Sequence, residues 1–298
     1  MSHQALQRLV VRLLYDPELV ARVYADPEPA LAGLELTPAE RQFVVALDRR
    51  AYGTDPHRRS RSLTDLLREF PAAASLVARE PGGLATLDGF FSSPSFHRAI
   101  AARGSLARAF GDYLLVLAED PKQDPRLARF ARLEQAIALV RRAPLAPPTP
   151  RAGAVDWWLI TSPHVALVEL PAGTLDEHSA VMAALTRAGA DPVAAIAGDR
   201  LALPAAHPAS EAAEPLLIER SAAAPGTEPE VQIAPVTLEL AQLLEAAAPP
   251  GASAATLQAL ARRLGAEPGE DAELLADLTR QGLLTPSPAP SAIRHAAC

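Results

Sequence analysis

The sequence predicts an α+β chain. An all-helical domain covers residues 1–145, a linker 146–153, and a strand-rich domain 154–285, whose last part, about 191–285, reads as a winged-helix module. Three observations predict this. From Gln4 to Arg142 apolar residues recur at helical spacing. A Pro-rich run, Leu145-Ala-Pro-Pro-Thr-Pro150, then breaks the pattern. Beyond it the apolar period is first two and then about 3.6.

In chain order, the first helix carries Leu6, Leu9, Val10, Leu13 and Leu14 on one stripe. Asp-Pro pairs at Asp16, Asp26, Asp55, Asp120 and Asp124 read as helix starts, since Asp caps and Pro suits the first turn. Thr37-Pro-Ala-Glu40 is a capping box whose helix turns Phe43, Val44 and Leu47 inward. Arg49, Arg50, Arg58, Arg59 and Arg61 form the most basic patch, read as solvated surface. Pro71 interrupts the helical run that follows Ser62. Phe90, Phe91 and Phe96 are read as plugs of the helical core, and Leu106–Leu117 and Leu127–Val140 as two further core helices.

Past the linker, Val155–Thr161 and Val165–Leu170 form a hairpin candidate around Ser162-Pro163-His164, carrying Trp157 and Trp158. An amphipathic helix follows, from Leu175 to Arg187. A second hairpin candidate joins Val193–Ala197 to Arg200–Pro204 through Gly198-Asp199. Strands at Leu216–Glu219 and Val231–Ile233 come next. Three helices close the module: one capped by Thr237, one opened by Ser253 and stopped at Gly265, and one from Glu270 to Gln281 with Leu274, Leu275 and Leu278 inward. The Pro/Ser-rich tail at 286–298 reads as flexible.

Composition limits the function classes. The net charge is −7 and Lys122 is the one lysine, so positive charge rests on arginine. This disfavours nucleic acid and anionic membrane surfaces. No apolar run reaches the roughly 20 residues that span a bilayer, and no signal-peptide pattern is seen, so the expectation is a cytoplasmic protein. The single cysteine, Cys298, permits no internal disulfide. Seven histidines show no metal-ligand spacing, and no nucleophile elbow or phosphate loop is present. Glu177-His178 is the one adjacent acid/base pair and reads as surface. The expectation is a chain without catalytic or metal residues of its own.

A winged helix raises DNA binding, but the helix after Glu270 carries Glu270, Asp271, Glu273 and Asp277 against Arg280 alone. Phosphates supply most DNA affinity, and this helix repels them. The module therefore points to a peptide added at an open sheet edge. Two alternatives remain at this stage: a module that only packs against the rest of the chain, and a transcriptional regulator.

The N-terminal phrasing LLYDPELVARVYADPEPAL…LTPAER, joined to a strand-rich end, resembles the partner proteins of multinuclear non-haem iron-dependent oxidases that modify ribosomally made peptides. These include the partners in methanobactin-type and thiaglutamate-type pathways. The segment from Val236 to Leu284, with its closing Gly-Leu-Leu, is similar to PqqD-type peptide-recognition domains. The resemblance implies a non-catalytic accessory subunit without a cofactor of its own. It would pair as a heterodimer with a TIM-barrel oxidase that carries the iron, and would present a precursor peptide to it. It also implies that the peptide pairs with the third strand, here Val231, Gln232 and Ile233, and lies against the third helix, here Leu274 and Leu278. The extra Trp157-Trp158 strand departs from a minimal recognition domain.

Overall fold

The computed structural model describes residues 3–55, 57–143, 157–189, 191–198, 201–208, 210–220 and 230–288. The linker at 146–153, Pro56, Asp199, Arg200 and 289–298 with Cys298 lie outside the described residues. Helices α1 (His3–Tyr15), α2 (Pro17–Ala25), α3 (Pro27–Ala30), α4 (Pro38–Ala46), α5 (Arg58–Glu69), α6 (Pro71–Ala78), α7 (Gly83–Asp88), α8 (Pro94–Ala102), α9 (Leu106–Leu117) and α10 (Leu127–Arg142) come first. Then follow β1 (Trp157–Thr161), β2 (Val165–Pro171), α11 (Thr174–Ala188), α12 (Pro192–Ala197), β3 (Ala213–Arg220), β4 (Val231–Pro235), α13 (Leu238–Ala246), β5 (Ala252–Ser253), α14 (Ala254–Arg263), α15 (Glu270–Arg280) and β6 (Leu284–Pro288). Mixed helix and antiparallel sheet make this an α+β chain.

The compact units are not two sequential halves. One comprises residues 1–135 with 175–208, the other 136–174 with 209–298. Residues 175–208, expected in the C-terminal domain, group with the N-terminal helices.

In the first unit the capping signals work locally. Asp16 Oδ1 accepts from the Glu18 and Leu19 amides at 3.0 Å each, and Thr37 and Glu40 close the capping box. At Asp120 and Asp124, however, the Asp-Pro pair makes a turn: each carboxylate accepts the amide two residues on instead of opening a helix there. On α4, Glu40 and Val44 face inward four residues apart, which leaves Phe43 rotated outward and 52% exposed. Helix α6 is buried along its length from Pro71 to Val77. Around it Phe70, Phe90, Phe91, Phe96 and Phe110 are fully buried. Phe90 meets Phe110 edge-on at 5.1 Å between ring centroids and Phe96 at 5.5 Å. Each such side chain contributes about 1.5–3 kcal/mol by leaving water, so these rings dominate the core energetically. Of the basic patch, Arg59 is tied to Asp88 and lies over the Phe91 ring, and Arg61 and Arg58 pair with Asp55, while Arg49 and Arg50 are exposed.

Two expectations about hairpins fail. Val193–Ala197 is helix, not strand, because Asp191 caps the Val193 amide and Pro192 occupies the first turn. Strands β1 and β2, though separated by three residues, belong to different sheets, ordered β5-β1-β6 and β2-β3-β4. Ser162 explains the parting. Its amide donates to the Leu283 carbonyl at 2.9 Å and its hydroxyl to Gly282, which ties the end of β1 to the turn after α15. Pro163 brings no N–H to continue a ladder, and β2 starts afresh on β3 with the Arg220 amide donating to His164. Residues 286–288, expected to be part of a flexible tail, pair with 157–159 in β1.

In the second unit Leu159, Leu243, Leu244, Leu257, Leu275, Leu278 and Leu284 form one core with Val165 from β2. Thr237 and Ser253 cap α13 and α14 as their hydroxyl chemistry dictates. Gly265 and Gly282 take positive φ just beyond the ends of α14 and α15.

Candidate functional site

Strand β4 is an edge of its sheet. Its inner side pairs with β3 in the register Leu217 to Ala234 and Glu219 to Gln232. The Val236 amide donates to the Pro215 carbonyl at 3.0 Å. Because bonded pairs alternate along an antiparallel ladder, this bond fixes which groups face inward. Gln232 and Ala234 exchange bonds with β3. Val231 and Ile233 aim their N–H and C=O groups at the outer side, and Pro235 offers a carbonyl there. The Arg220-to-His164 bond on the opposite side of β3 obeys the same alternation. Among the described residues no strand pairs with that outer side. Proline at the end of an edge strand limits uncontrolled pairing, so the margin offers two donors and three acceptors to an added strand.

The five residues expected to bind a peptide are distributed unequally. Val231 and Ile233 are half-buried and Gln232 exposed on β4. Leu274 on α15 is 37% exposed, not inward as its spacing suggests, whereas Leu278 at 4% belongs to the core. Helix α15 packs chiefly on α14 and β6.

The charge of α15 is also less uniform than its sequence. Asp271 is buried and accepts from Arg262 Nε at 2.7 Å and from the Gly269 amide at 2.9 Å. Burial pushes its carboxyl up, but those donors outweigh burial and hold it below the usual carboxylate range. Asp271 is thus an internal anchor of the α14–α15 turn. Glu270, Glu273 and Asp277 remain, with Asp277 paired to Arg280 at 2.6 Å.

Two acid–histidine pairs in the first unit invite a catalytic reading. Buried Asp16 meets His97 Nε2 at 3.1 Å and accepts from Ser92 Oγ at 3.0 Å. Arg12 Nη2 sits 3.3 Å from His97 Nδ1. A guanidinium only donates, so Nδ1 accepts and Nε2 carries the hydrogen toward Asp16. Nε2 faces Asp16 Oδ2 at ion-pair distance without an aligned hydrogen bond. Burial raises the Asp16 carboxyl, but His97 and the Leu19 and Ser92 donors prevail and bring it down to about 2.

The second pair corrects the surface reading of Glu177-His178. His178 is buried and turns its Nε2 to Glu134, 3.1 Å away. Glu134 also accepts from the Ala72 and Ala73 amides, at 2.8 and 3.0 Å, capping the N-terminus of α6 from α10. Glu177 pairs instead with Arg129 and with the His207 amide. These contacts join residues far apart in sequence, so no local pattern announces them. Among the described residues no three His, Cys, Asp or Glu side chains are grouped to hold a metal, and no helix is long and apolar enough to cross a membrane. No protein-family model matches the sequence, and no similar curated protein was found.

Proposed function

We propose that this chain is a non-catalytic subunit that binds an extended peptide by strand addition at the outer edge of β4. The observation that carries the reading is the pair of outward amides at Val231 and Ile233 with no strand across from them among the described residues. A peptide laid there satisfies backbone groups that otherwise rely on water, and the alternating side chains of the sheet fix its register. The succession α13, β5, α14, α15, β6, with β1 beside β6 in the small sheet, supports reading this end as a winged helix. The resemblance to partners of iron-dependent oxidases supplies the rest of the proposal. The peptide is a ribosomally made precursor, handed in a heterodimer to a TIM-barrel oxidase that holds the iron.

A DNA-binding role is opposed by the remaining acids of α15. The test is a binding titration of the full chain with the precursor peptide encoded beside its gene, followed by backbone amide exchange. Protection gained at Val231 and Ile233, together with co-purification of the oxidase, supports the proposal. Salt-sensitive binding of duplex DNA with no peptide binding would replace it by the regulator.

A further inference from the structure

A cleft of about 320 Å3 opens in the first unit between α1 and the α8–α9 junction, lined among others by Gln4, Gln7, Arg8, Val11, Ile100 and Arg103. No carboxylate lines it. Arg8 is half-buried, and its Nε is inaccessible to water without a hydrogen-bond partner among the described residues. A buried donor without a partner is one a ligand can satisfy. One turn along α1, Arg12 shares this state at its own Nε but directs its Nη2 to His97, whereas Arg8 lines the cleft.

Arg103 is the second observation. Among the described residues it is the one non-glycine with positive φ, at 52°, and it sits at the C-terminal cap of α8 directly before Gly104. Left-handed backbone at a helix end favours glycine, and here the neighbouring glycine does not occupy it. Arg103 is exposed and lines the cleft. The carbonyls at that end of α8 are already taken, Ile100 by the Arg103 amide and Ala99 by the Gly104 amide. The two arginines are therefore not needed to cap the helix.

We propose that this cleft binds an organic carboxylate on a short apolar chain. The carboxylate lies between Arg8 and Arg103 with the Gln4 and Gln7 amides in reach, and the chain lies along Val11 and Ile100. Two guanidinium groups match an oxyanion by charge-assisted bonds. The apolar wall selects a carbon chain behind the charge over a bare phosphate. Nothing in this inference depends on the β4 edge.

The test is calorimetric titration of the full chain with N-acetyl-leucine, with N-acetyl-leucine amide and with inorganic phosphate. The acid is expected to bind saturably, and the amide roughly tenfold or more weaker for loss of the charged head. Arg8→Gln and Arg103→Gly should each weaken the acid by a similar factor. Gly suits the left-handed position, so the second variant keeps the fold, with thermal unfolding as the check. Equal binding of acid and amide, no saturation by the acid, or displacement of the acid by phosphate at equal concentration would each overturn the assignment.

Discussion

The two units treat their polar groups in opposite ways. The first buries carboxylates at its centre and meets them from within: Glu134 by two amides and His178, and Asp16 by two amides, Ser92 and His97. The second builds a tight leucine core but ends its three-stranded sheet at β4 with outward amides that nothing described across from them answers. The Glu134 carboxylate has a structural task, since it holds the first amides of α6. The proposed strand addition rests on this difference, since the groups a ladder requires are already aligned along β4.

Substitutions can break or sharpen this contrast. The largest expected effect is Glu134→Leu, which strands two helix-terminal amides and His178 in the core. It should cost about 3–5 kcal/mol in a denaturant titration, whereas Glu134→Gln, keeping one acceptor, should cost less. Next comes Ala234→Pro, which removes an inward amide from the β3–β4 ladder and should cost roughly 2–3 kcal/mol. The third concerns pH. The Asp16 carboxyl lies at about 2 when folded against an ordinary 3.8 when unfolded, so the folded state prefers the ionised form. Its stabilisation, about 2 kcal/mol, is fully present above 3.8 and disappears as pH falls through about 2. Unfolding free energies of Asp16→Asn should show a shallower acid limb than those of the parent chain. The smallest effect is Ile233→Pro. It deletes an outward amide and no ladder bond, so stability should change by about 1 kcal/mol or less while peptide binding is lost.

Much of this architecture could be read from local chemistry. Thr237, Ser253, Gly265 and Gly282 delimit the last three helices because capping and positive φ are decided within a few residues. The phenylalanine trio, read as core although a grouped trio in a chain with 4% aromatics also suits a partner surface, is fully buried. Sheet membership was not legible, because β1 and β2 are parted by a serine bonding to residues 282 and 283, some 120 positions on. At Val193 the Asp191-Pro192 pair starts α12 and overrides the apolar run that reads as a hairpin strand. For the site, the sequence indicated β4 as a strand but gave no means of deciding that Val231 and Ile233, rather than Gln232, point their amides outward. That follows from one bond, Val236 to Pro215. Leu274 and Leu278 read alike in sequence, yet one is partly exposed and the other core, since α15 turns its buried face by Leu275 and Leu278.

The central claim is that the far side of β4 is vacant and waiting for a backbone. Residue-resolved amide hydrogen exchange on the full chain alone tests it most directly. The account predicts slow exchange at Gln232 and Ala234, whose amides are held by β3, and fast exchange at Val231 and Ile233. Equal protection at all four positions would contradict it, because the margin would then be closed by the protein itself.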